Sequence, residues 1–468
     1  MNILFIYPDI CMASGRFHQG IGYISSFLKK NGHKTALIYL DEEISREDLF
    51  KKIDEILPDL IAFSSTTNQF PYVQQYASWI KEKYSIPILC GGIHPTILPE
   101  TVIAERSIDI ICIGEGEYPM LELANSLEKG SSYDDIQNLW VKRDDKIYKN
   151  PLRPLIENLD DLPFPDRELF NYENILGRYE HVAESNIAEF ITGRGCPFNC
   201  TYCCNHTLRK IYKNNGKFIR RRSVENVLAE IREVTQKYKV EKILFDDDTF
   251  TLHSEWIDEF CDKYSEEFKY PFICNAHPTT ITEELTVKLK KAGCEQISIG
   301  IESGNEWLRR NVLKRNISDK KLIKAFELVR KAGIRTYSFN IIGLPFETPE
   351  MADDTIRLNK IIDPDDIQVS IFYPYPKTEL YHICENENWL TNNIKFSYFE
   401  EGGVLNIPTI TNKQIQSYYR KLHLMSIDRI MKCRYHNFNF IYNIFKKIVG
   451  NQLTYKLAIV ARKILYKY

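Results

Sequence analysis

The sequence lacks any long apolar run. Its 468 residues contain no stretch of 18 or more consecutive apolar residues, which argues against a membrane-spanning helix. The first residues, Met1–Tyr7, have no basic segment and no small-residue cleavage site, so a secretory signal peptide is not expected. These absences predict a cytoplasmic protein, in which the 12 cysteines are reduced thiols or metal ligands rather than disulfides.

A surplus of charge of either sign is absent as well. With 61 basic and 63 acidic residues, the net charge of -2 argues against a general nucleic-acid binder. Apolar residues at 44% and charged residues at 26% are ordinary values for a packed protein, so disordered, collagen-like and coiled-coil designs are excluded. At about 150 residues per domain, the length predicts two or three domains.

The charge that is present is unevenly distributed. Residues 411–468 hold 12 basic residues and one acid, Asp428, so this tail carries +11 and the remainder -13. Apolar residues at helical spacing follow each other in Ile441–Val449 and Leu457–Leu465, which predicts a basic helical region over residues 401–468. Such helices either make peripheral contact with an anionic membrane surface or pack their apolar stripe on the protein.

Residues 1–130 alternate between strand and helix signals, which predicts a Rossmann-like, doubly wound parallel sheet. The predicted strands are Ile3–Tyr7, Thr35–Leu40, Leu60–Ser64, Ile86–Cys90 and Asp109–Ile113. Ligands of such sheets bind at the carboxyl ends of the strands, where this chain has several glycines that allow close backbone approach.

A proline-interrupted segment, residues 131–185, is interpreted as a linker to a second domain. Residues 186–400 repeat the strand–helix pattern six times, which predicts a partial (β/α)6 barrel resembling a TIM barrel. The predicted strands are Ala188–Thr192, Lys242–Asp246, Pro271–Ala276, Gln296–Gly300, Thr336–Ile342 and Ile367–Phe372. The whole chain is therefore expected to be of the α/β class.

The most specific motif is C-x3-C-x2-C, formed by Cys196, Cys200 and Cys203 directly after the first predicted barrel strand. Three thiolates on one short loop suit an iron–sulfur cluster. The alternative, a structural zinc site, needs a fourth ligand, which His206 could supply. Cys204 is not expected to bind the same centre, because neighbouring residues rarely do.

With Tyr202 before its third cysteine, this loop resembles that of the radical S-adenosylmethionine superfamily, and the resemblance spans residues 186–400. It implies a 4Fe-4S cluster on the three cysteines, with one iron free to bind S-adenosylmethionine. Reductive cleavage of that molecule then releases a 5′-deoxyadenosyl radical. The resemblance also implies a small-molecule substrate and an electron donor such as flavodoxin or ferredoxin.

The same resemblance implies that several residues near barrel strand ends bind S-adenosylmethionine. The residues are Tyr202 near the adenine, Asp246 and Asp247 near the methionine amino group, Glu302 at the ribose, Arg315 at the carboxylate, and Asn340. Each of these residues could instead have a structural role. Tyr202 would then be a packed loop tyrosine, Asp246 and Asp247 part of a solvated acidic turn, and Arg315 a salt-bridged surface arginine. His277 either moves a proton near the substrate or is a hydrogen-bonded structural histidine. Lys377 stands where many relatives have glycine.

The first domain resembles the cobalamin-binding domain of one radical subgroup, which includes cobalamin-dependent methylases and the anaerobic ring-forming cyclase of chlorophyll biosynthesis. The matching stretches are Gly20–Tyr23, Leu89–Thr96 and Gly114–Glu117. The resemblance implies that cobalamin lies against the strand ends, at Ser64, Ser65, Gly91, Gly92, His94, Gly114, Glu115 and Gly116.

One departure concerns the cobalt ligand. Other cobalamin proteins use D-x-H-x-x-G, but Cys11 follows Asp9 at the position of the histidine, and His18 and His94 have the wrong spacing. We therefore expect a cobalt without a protein imidazole. The alternative is a domain that kept the fold and lost the cofactor.

The sequence thus predicts an enzyme that methylates an unactivated carbon or phosphorus centre of a small biosynthetic intermediate, with no residue assigned to acid–base catalysis. A radical rearrangement, oxidation or cyclisation without methyl transfer is the first alternative. A non-catalytic cobalamin sensor is the second, and the three-cysteine loop argues against it.

Overall fold

A computed structural model describes residues 1–10, 16–144, 146–176, 186–391 and 403–433, together with residues 442, 446, 454 and 455. In these residues no helix is both long and apolar enough to cross a bilayer. The strands are β1 Asn2–Pro8, β2 Lys34–Leu40, β3 Leu60–Ser64, β4 Ile88–Gly91, β5 Ile110–Cys112, β6 Leu139–Arg143, β7 Lys146–Lys149, β8 Ile187–Phe190, β9 Gly193–Arg194, β10 Arg220–Arg221, β11 Lys242–Phe245, β12 Phe272–Ala276, β13 Cys294–Glu302, β14 Arg335–Ile342 and β15 Asp366–Ile371. The helices are α1 Gln19–Lys30, α2 Arg46–Ile56, α3 Phe70–Lys83, α4 Ile93–Ile97, α5 Pro99–Ala104, α6 Glu117–Lys129, α7 Cys204–Ile211, α8 Val224–Lys237, α9 Ser254–Glu267, α10 Glu283–Lys291, α11 Asp319–Lys331, α12 Pro349–Ile362, α13 Glu379–Asn386 and α14 Asn412–Cys433.

The first domain is built on a sheet of order β2-β1-β3-β4-β5-β6-β7, in which β1 to β5 are parallel. Helices cover both faces, so the central strands are buried on both sides and read as continuous apolar runs. All the strands predicted for this domain are confirmed. The strand order reverses between β1 and β3, and that switch point opens a crevice at their carboxyl ends.

The sheet continues past residue 130 into the segment that was interpreted as a linker. Strands β6 and β7 form an antiparallel hairpin that pairs with β5, with Val141 opposite Ile110. These strands are short and carry charged residues, so their hydrophobic signal was too weak to predict an edge of the sheet. Beyond the hairpin the chain runs through short 3₁₀ turns towards β8.

The second domain is an open parallel sheet of order β8-β11-β12-β13-β14-β15, which confirms the predicted partial barrel. Phe190 and Phe245 point to the helices outside the sheet, where they join the main apolar core. Ile187, Leu244 and Ile273 form a separate small cluster on the other, inner side of the sheet. Side chains alternate along a strand, so Glu189 and Asp246 share this inner side.

The region after the barrel is helical in its described part, as expected. Helix α14 packs on β15 and α12, and buries Ile415, Tyr419 and Leu422 in the core at that end of the barrel. The two basic amphipathic stretches lie almost entirely outside the described residues. Their contact with a membrane, and the cytoplasmic location, stay predictions.

Candidate functional site between the two domains

A cavity of about 440 Å³ separates the strand ends of the first domain from those of the second. Phe5, Ala62 and Leu89 line it from the first sheet, at the crevice where the strand order reverses, and Ile191 and Asp246 line it from the barrel. Glycines form much of the wall: Gly20, Gly91, Gly92, Gly114, Gly116, Gly193 and Gly195. A bulky ligand could therefore approach the backbone of both domains.

Geometry requires glycine at several of these positions, including Gly114 and Gly92. Gly114 has φ +82°, and a Cβ at this position would lie 1.5 Å from the Tyr212 hydroxyl oxygen of the second domain. Gly92 has φ +98°, and its Cβ would lie 2.7 Å from the backbone nitrogen of Ser65. A side chain at either position would push apart the segments that form the cavity wall.

Buried ion pairs join the two domains beside the cavity. The Arg194 guanidinium lies 2.7 Å from Glu115 Oε1 and 2.6 Å from Glu117 Oε1, and Arg220 lies 2.9 Å from Glu115 Oε1. Glu115 Oε2 accepts the backbone N–H of Ile156 at 2.8 Å. Glu115, predicted to bind cofactor, lines the cavity and has both carboxylate oxygens bonded within the domain junction; its contact with cobalamin stays a prediction.

His18 is held by two hydrogen bonds at the rim of this cavity. As the N-cap of α1, its Nδ1 accepts the Ile21 N–H at 3.0 Å, and its Nε2 lies 3.3 Å from Ser64 Oγ. Accepting at Nδ1 leaves the proton on Nε2, which can then donate to Ser64. Burial lowers the pKa of His18 to about 4, so the ring is neutral.

The other residues predicted to bind cobalamin occupy the same strand ends in different ways. Ser64, Gly91, Gly92, Gly114 and Gly116 line the cavity. Ser65 is buried, and its hydroxyl donates to the Thr66 carbonyl at 2.8 Å. His94 lies outside the lining; its Nδ1 is 3.2 Å from Thr67 Oγ1 and its ring lies against Phe70. Burial lowers the pKa of His94 to about 4.

The cysteine loop leaves the barrel between β8 and α7 and is anchored at its centre. Thr201 Oγ1 donates to the Val312 carbonyl at 2.7 Å, and the Thr201 N–H donates to the Leu313 carbonyl. Phe198, within the loop, stacks on the His277 ring at a centroid distance of 3.6 Å. Cys196, Cys200 and Cys203 are all free thiols.

The donor chemistry of this loop fits an iron–sulfur cluster. Across the described part of the chain, no three His, Cys, Asp or Glu side chains are close enough together to hold one metal ion. Three thiolates on one loop are a suitable donor set for a 4Fe-4S cluster, in which each thiolate binds a different iron.

Tyr202, Glu302 and Arg315 converge beside the cysteines. The Arg315 guanidinium donates to the Gly300 carbonyl at 2.8 Å and lies 3.6 Å from Cys200 Sγ and 3.9 Å from Glu302 Oε1. Tyr202 hydrogen-bonds to Glu302, and burial raises the pKa of Glu302. Arg315 Nε is buried without a partner among the described residues, so the group retains donor capacity for a ligand.

Glu302 has a strained backbone. Its φ is +64°, in the left-handed region, at a register irregularity where β13 pairs with β14. A non-glycine residue in this conformation costs of order 1 kcal/mol, and such positions cluster at functional sites. In this backbone conformation the Glu302 side chain lies beside Tyr202 and Arg315 at the end of the strand.

The three aspartates of the acidic turn after β11 have different environments. Asp247 is buried, and its carboxylate accepts the backbone N–H and the hydroxyl of Thr192, at 3.1 and 2.8 Å. It therefore holds the start of the cysteine segment. All three carboxylates line the cavity, and those of Asp246 and Asp248 are more exposed than that of Asp247. Partial enclosure by the cavity wall raises the pKa of the Asp246 and Asp248 carboxyls.

Two other predicted residues have structural environments. Asn340 points to the outer side of the barrel, where its Oδ1 accepts from Asn359 Nδ2 at 2.7 Å and its Nδ2 donates to Ser338 Oγ. The structure therefore does not bring Asn340 to the Tyr202, Glu302 and Arg315 group. His277 Nδ1 lies 2.6 Å from Thr279 Oγ1, and burial lowers the pKa of His277 to about 3. These contacts favour the structural interpretation of His277.

Sequence reasoning missed Glu189, a side chain 6% exposed on the inner side of β8. Burial and the nearby charge of Asp246 raise the pKa of Glu189. The signal was a lone carboxylate within an apolar strand. Arg194 was missed too, because its partners are distant in sequence.

The comparisons with known proteins agree with this two-domain site. Residues 190–358 match the family model of the radical SAM superfamily, and residues 16–124 match that of the B12 binding domain. An uncharacterized methyltransferase of Pyrococcus horikoshii is 29% identical over 434 residues, covering 91% of this chain and 92% of that protein. The anaerobic magnesium-protoporphyrin IX monomethyl ester cyclase of Rubrivivax gelatinosus is 25% identical over 459 residues, covering 91% of this chain and 78% of the cyclase.

A solved structure has the same fold. It is the radical S-adenosylmethionine methyltransferase TsrM from Kitasatospora setae with cobalamin and a 4Fe-4S cluster bound. The two structures have a TM-score of 0.68 at 15% sequence identity, over 82% of this chain and 75% of that one. The two matched family models lie on the two domains that enclose the cavity.

Proposed function

Because the chain belongs to the radical S-adenosylmethionine superfamily, in the subgroup with an N-terminal cobalamin-binding domain, we propose that it methylates a small molecule in the cavity between its domains. Its cofactors are a 4Fe-4S cluster, S-adenosylmethionine and cobalamin. The acceptor is an unactivated carbon or phosphorus centre. The observation that carries this proposal is the cavity between the strand ends of the two domains, where both domains contribute to the wall around a substrate.

When bound, the cluster and S-adenosylmethionine supply a carbon-centred radical, and cobalamin supplies a methyl carrier. Cys196, Cys200 and Cys203 would hold the cluster. Arg315 offers its free Nε–H and its positive charge to the carboxylate of S-adenosylmethionine, and Glu302 accepts hydrogen bonds from a ribose. Each of these roles is part of the proposal.

The remaining task of the chain is to exclude water and to handle protons. The glycine-lined wall allows a flat ligand to lie against the backbone of the first domain, and the Arg194 ion pairs keep the facing barrel loop in place. The carboxyls of Glu189 and Asp246 lie on the inner side of the barrel sheet, and burial raises the pKa of both, so each can hold a proton there near neutral pH.

Methyl transfer can be tested before the substrate is known. Anaerobically reconstituted protein with cobalamin is incubated with a strong chemical reductant and S-adenosylmethionine deuterated in its methyl group. We expect S-adenosylhomocysteine to form and the label to be recovered with the corrinoid. Formation of 5′-deoxyadenosine alone, with no label on the corrinoid, would contradict the methylase proposal.

That contrary result would favour radical rearrangement, oxidation or cyclisation without methyl transfer. The similarity to a cyclase over 91% of this chain supports this second candidate. The two candidates share the cluster and the cavity, so the fate of the methyl group is the observation that separates them.

Glu302→Gln is expected to weaken binding of S-adenosylmethionine by roughly 1–3 kcal/mol, because a charged acceptor is replaced by a neutral one. Equilibrium binding to cluster-loaded protein measures the effect. Glu306→Gln is the matched control, since Glu306 lies close by in sequence and forms an exposed pair with Arg310. An equal affinity in both variants would assign Glu302 to a structural role.

We expect the cobalt of bound cobalamin to carry no protein imidazole. His18 already uses both ring nitrogens in hydrogen bonds, and His94 does not line the cavity. Electron paramagnetic resonance of the Co(II) form should therefore lack the triplet splitting that an axial nitrogen produces. Triplets that disappear in His18→Ala or His94→Ala would contradict this prediction.

A further inference from the structure

We propose that the barrel side of the cavity is a subsite for a protonated amine of the substrate, held by Gln19, Glu189 and Asp246. This inference rests on the proposed function, because it names a chemical class for the small molecule that enters the cavity. The three side chains come from both domains. Each presents a hydrogen-bond acceptor that has no protein partner among the described residues.

Gln19, the first residue of α1, supplies an acceptor from the first domain. Its Nε2 donates to the Glu189 carbonyl oxygen at 3.1 Å. This contact fixes the orientation of the amide, because the opposite orientation would set two oxygens against each other. The remaining atom, Oε1, is buried and has no hydrogen-bond partner in the described structure. Since Gln19 lines the cavity, the ligand group that satisfies Oε1 is a donor.

Glu189 supplies a carboxylate from the barrel. Its backbone is held in place, since its N–H donates to the Tyr172 hydroxyl at 3.2 Å and its carbonyl accepts from Arg167 at 2.8 Å. Its side chain lies on the same face of the chain as Ile191, which lines the cavity. The side chain is 6% exposed, and its carboxylate forms no hydrogen bond or ion pair with a described residue. A carboxylate buried in this way is costly until a proton or a cation joins it.

Asp246 places a second carboxylate beside the first. Strands β8 and β11 pair with Glu189 opposite Leu244, so Asp246, two residues further on, lies one step closer to the cavity on the same inner side. The Asp246 N–H donates to the Phe190 carbonyl at 2.9 Å, which keeps the two strand ends together. Asp246 lines the cavity, and its carboxylate forms no hydrogen bond or ion pair with the described part of the chain.

The cations of the protein near these two carboxyls do not pair with them. Arg16 acts on both from a distance, and no ion pair joins it to either one. Arg167 directs its guanidinium to Glu230 at 2.6 Å and to the Glu189 carbonyl. Arg194, in the cavity wall, is paired across the domain junction. The positive charge that fits here therefore comes from the ligand, and an ammonium group has three N–H donors for the three acceptors.

Protons compete with a cation for these carboxyls. Burial and the charge of Asp246 raise the pKa of Glu189 to about 8, and burial raises the pKa of Asp246 to about 6. A bound ammonium group favours the charged form of each carboxyl, so it displaces the protons and binds more tightly as the pH rises through this range. An anionic ligand would show the opposite trend. The other charged or titratable groups that face the pair are Asp9, Arg16, Arg167, Tyr172, Asp247 and Asp248.

Two cofactor groups compete for the same acceptors. S-adenosylmethionine has an amino group, which the sequence resemblance implies lies near Asp246, and the side chains of the corrin end in amides that donate hydrogen bonds. Both cofactors are therefore bound before the subsite is tested, so that their own amino and amide groups already occupy their sites. An amine that binds in addition is then held by acceptors that the cofactors leave open.

The test titrates butylamine, butanol and butyrate by calorimetry into anaerobic, full-length protein loaded with the cluster, cobalamin and S-adenosylmethionine. The three probes share a chain length and differ in charge, and each is measured at pH 6 and pH 8, near the pKa values of the two carboxyls. Glu189→Gln removes one carboxylate at constant shape, and Gln19→Met removes the amide acceptor. Glu347→Gln is the matched control: Glu347 is fully buried and its pKa is raised to about 8, but it does not line the cavity.

We expect butylamine to bind the parent protein and Glu347→Gln equally, and more tightly at pH 8 than at pH 6. Glu189→Gln should bind it about tenfold more weakly or worse, and Gln19→Met should show a smaller loss. Butyrate should bind no better at pH 8 than at pH 6. Equal affinity of Glu189→Gln and Glu347→Gln for butylamine, tighter binding at pH 6, or no binding at all would overturn the proposal. So would a Glu189→Gln variant that loses affinity for S-adenosylmethionine or cobalamin while its affinity for butylamine is unchanged.

If Glu189→Gln does not fold, the pH series with the three probes in the parent protein decides the charge of the ligand by itself. Failure of the proposed function is distinguishable from failure of the amine subsite. If the parent protein does not cleave S-adenosylmethionine even with titanium(III) citrate as the reductant, the function is wrong. If it does so but binding of butylamine depends on neither pH nor Glu189, only the subsite is wrong.

Discussion

Replacing Cys196, Cys200 and Cys203 together by alanine is expected to abolish iron binding by the reconstituted protein and all cleavage of S-adenosylmethionine. The motif supplies the thiolates that an iron–sulfur cluster needs as ligands. Iron and sulfide content, the brown chromophore and formation of 5′-deoxyadenosine measure the loss.

Cys204→Ala is the matched control for this experiment. Cys204 is the first residue of α7 and is only partly buried, so its removal should neither unfold the loop nor remove a cluster ligand. Full iron content should remain in this variant. A triple alanine variant that keeps its iron, or a Cys204→Ala variant that loses it, would overturn the ligand assignment.

Arg194→Met is expected to lower the free energy of unfolding by about 3 kcal/mol, because it leaves Glu117 buried with no cation and Glu115 with one fewer. The Glu117 side chain is only 4% exposed, so its carboxylate has little contact with solvent in place of the lost partner. Denaturant unfolding of the cofactor-free protein measures the change. We expect the substitution to change the cavity as well, because Glu115 and Glu117 both line it.

Arg46→Met provides the comparison with an exposed pair. Arg46 binds Glu82 at the surface, with side chains 40% and 51% exposed, and exposed pairs contribute about 0–1 kcal/mol. The double variant Arg194→Met, Glu117→Gln should recover part of the lost stability, since a neutral amide is less costly to bury than an unpaired carboxylate. A loss at Arg194 no larger than that at Arg46 would show that the junction is not held by these charges.

The secondary structure of both domains was predictable for one physical reason. Buried parallel strands such as β3 and β11 are apolar on both faces, so they stand out as runs against the amphipathic helices between them. The hairpin of β6 and β7 was not predicted, because an edge strand buries one face at most and carries charges on the other.

The candidate site was predictable where its residues are close together in sequence. Cys196, Cys200 and Cys203 lie on one loop, and their spacing alone indicates the chemistry. Asn340 shows the limit of this reasoning: its position at a strand end was correct, but the side chain turns outward to Asn359. The direction of a side chain depends on register, which a motif does not specify.

The sequence by itself determined the class of the protein, since strand periodicity, glycines at strand ends and cysteine spacing are all local properties of the chain. Tertiary structure alone decided how the two domains meet. The contacts of Arg194 with Glu115 and Glu117 join residues more than 70 positions apart. Their strength comes from burial, and burial exists only after both domains have packed around the same cavity.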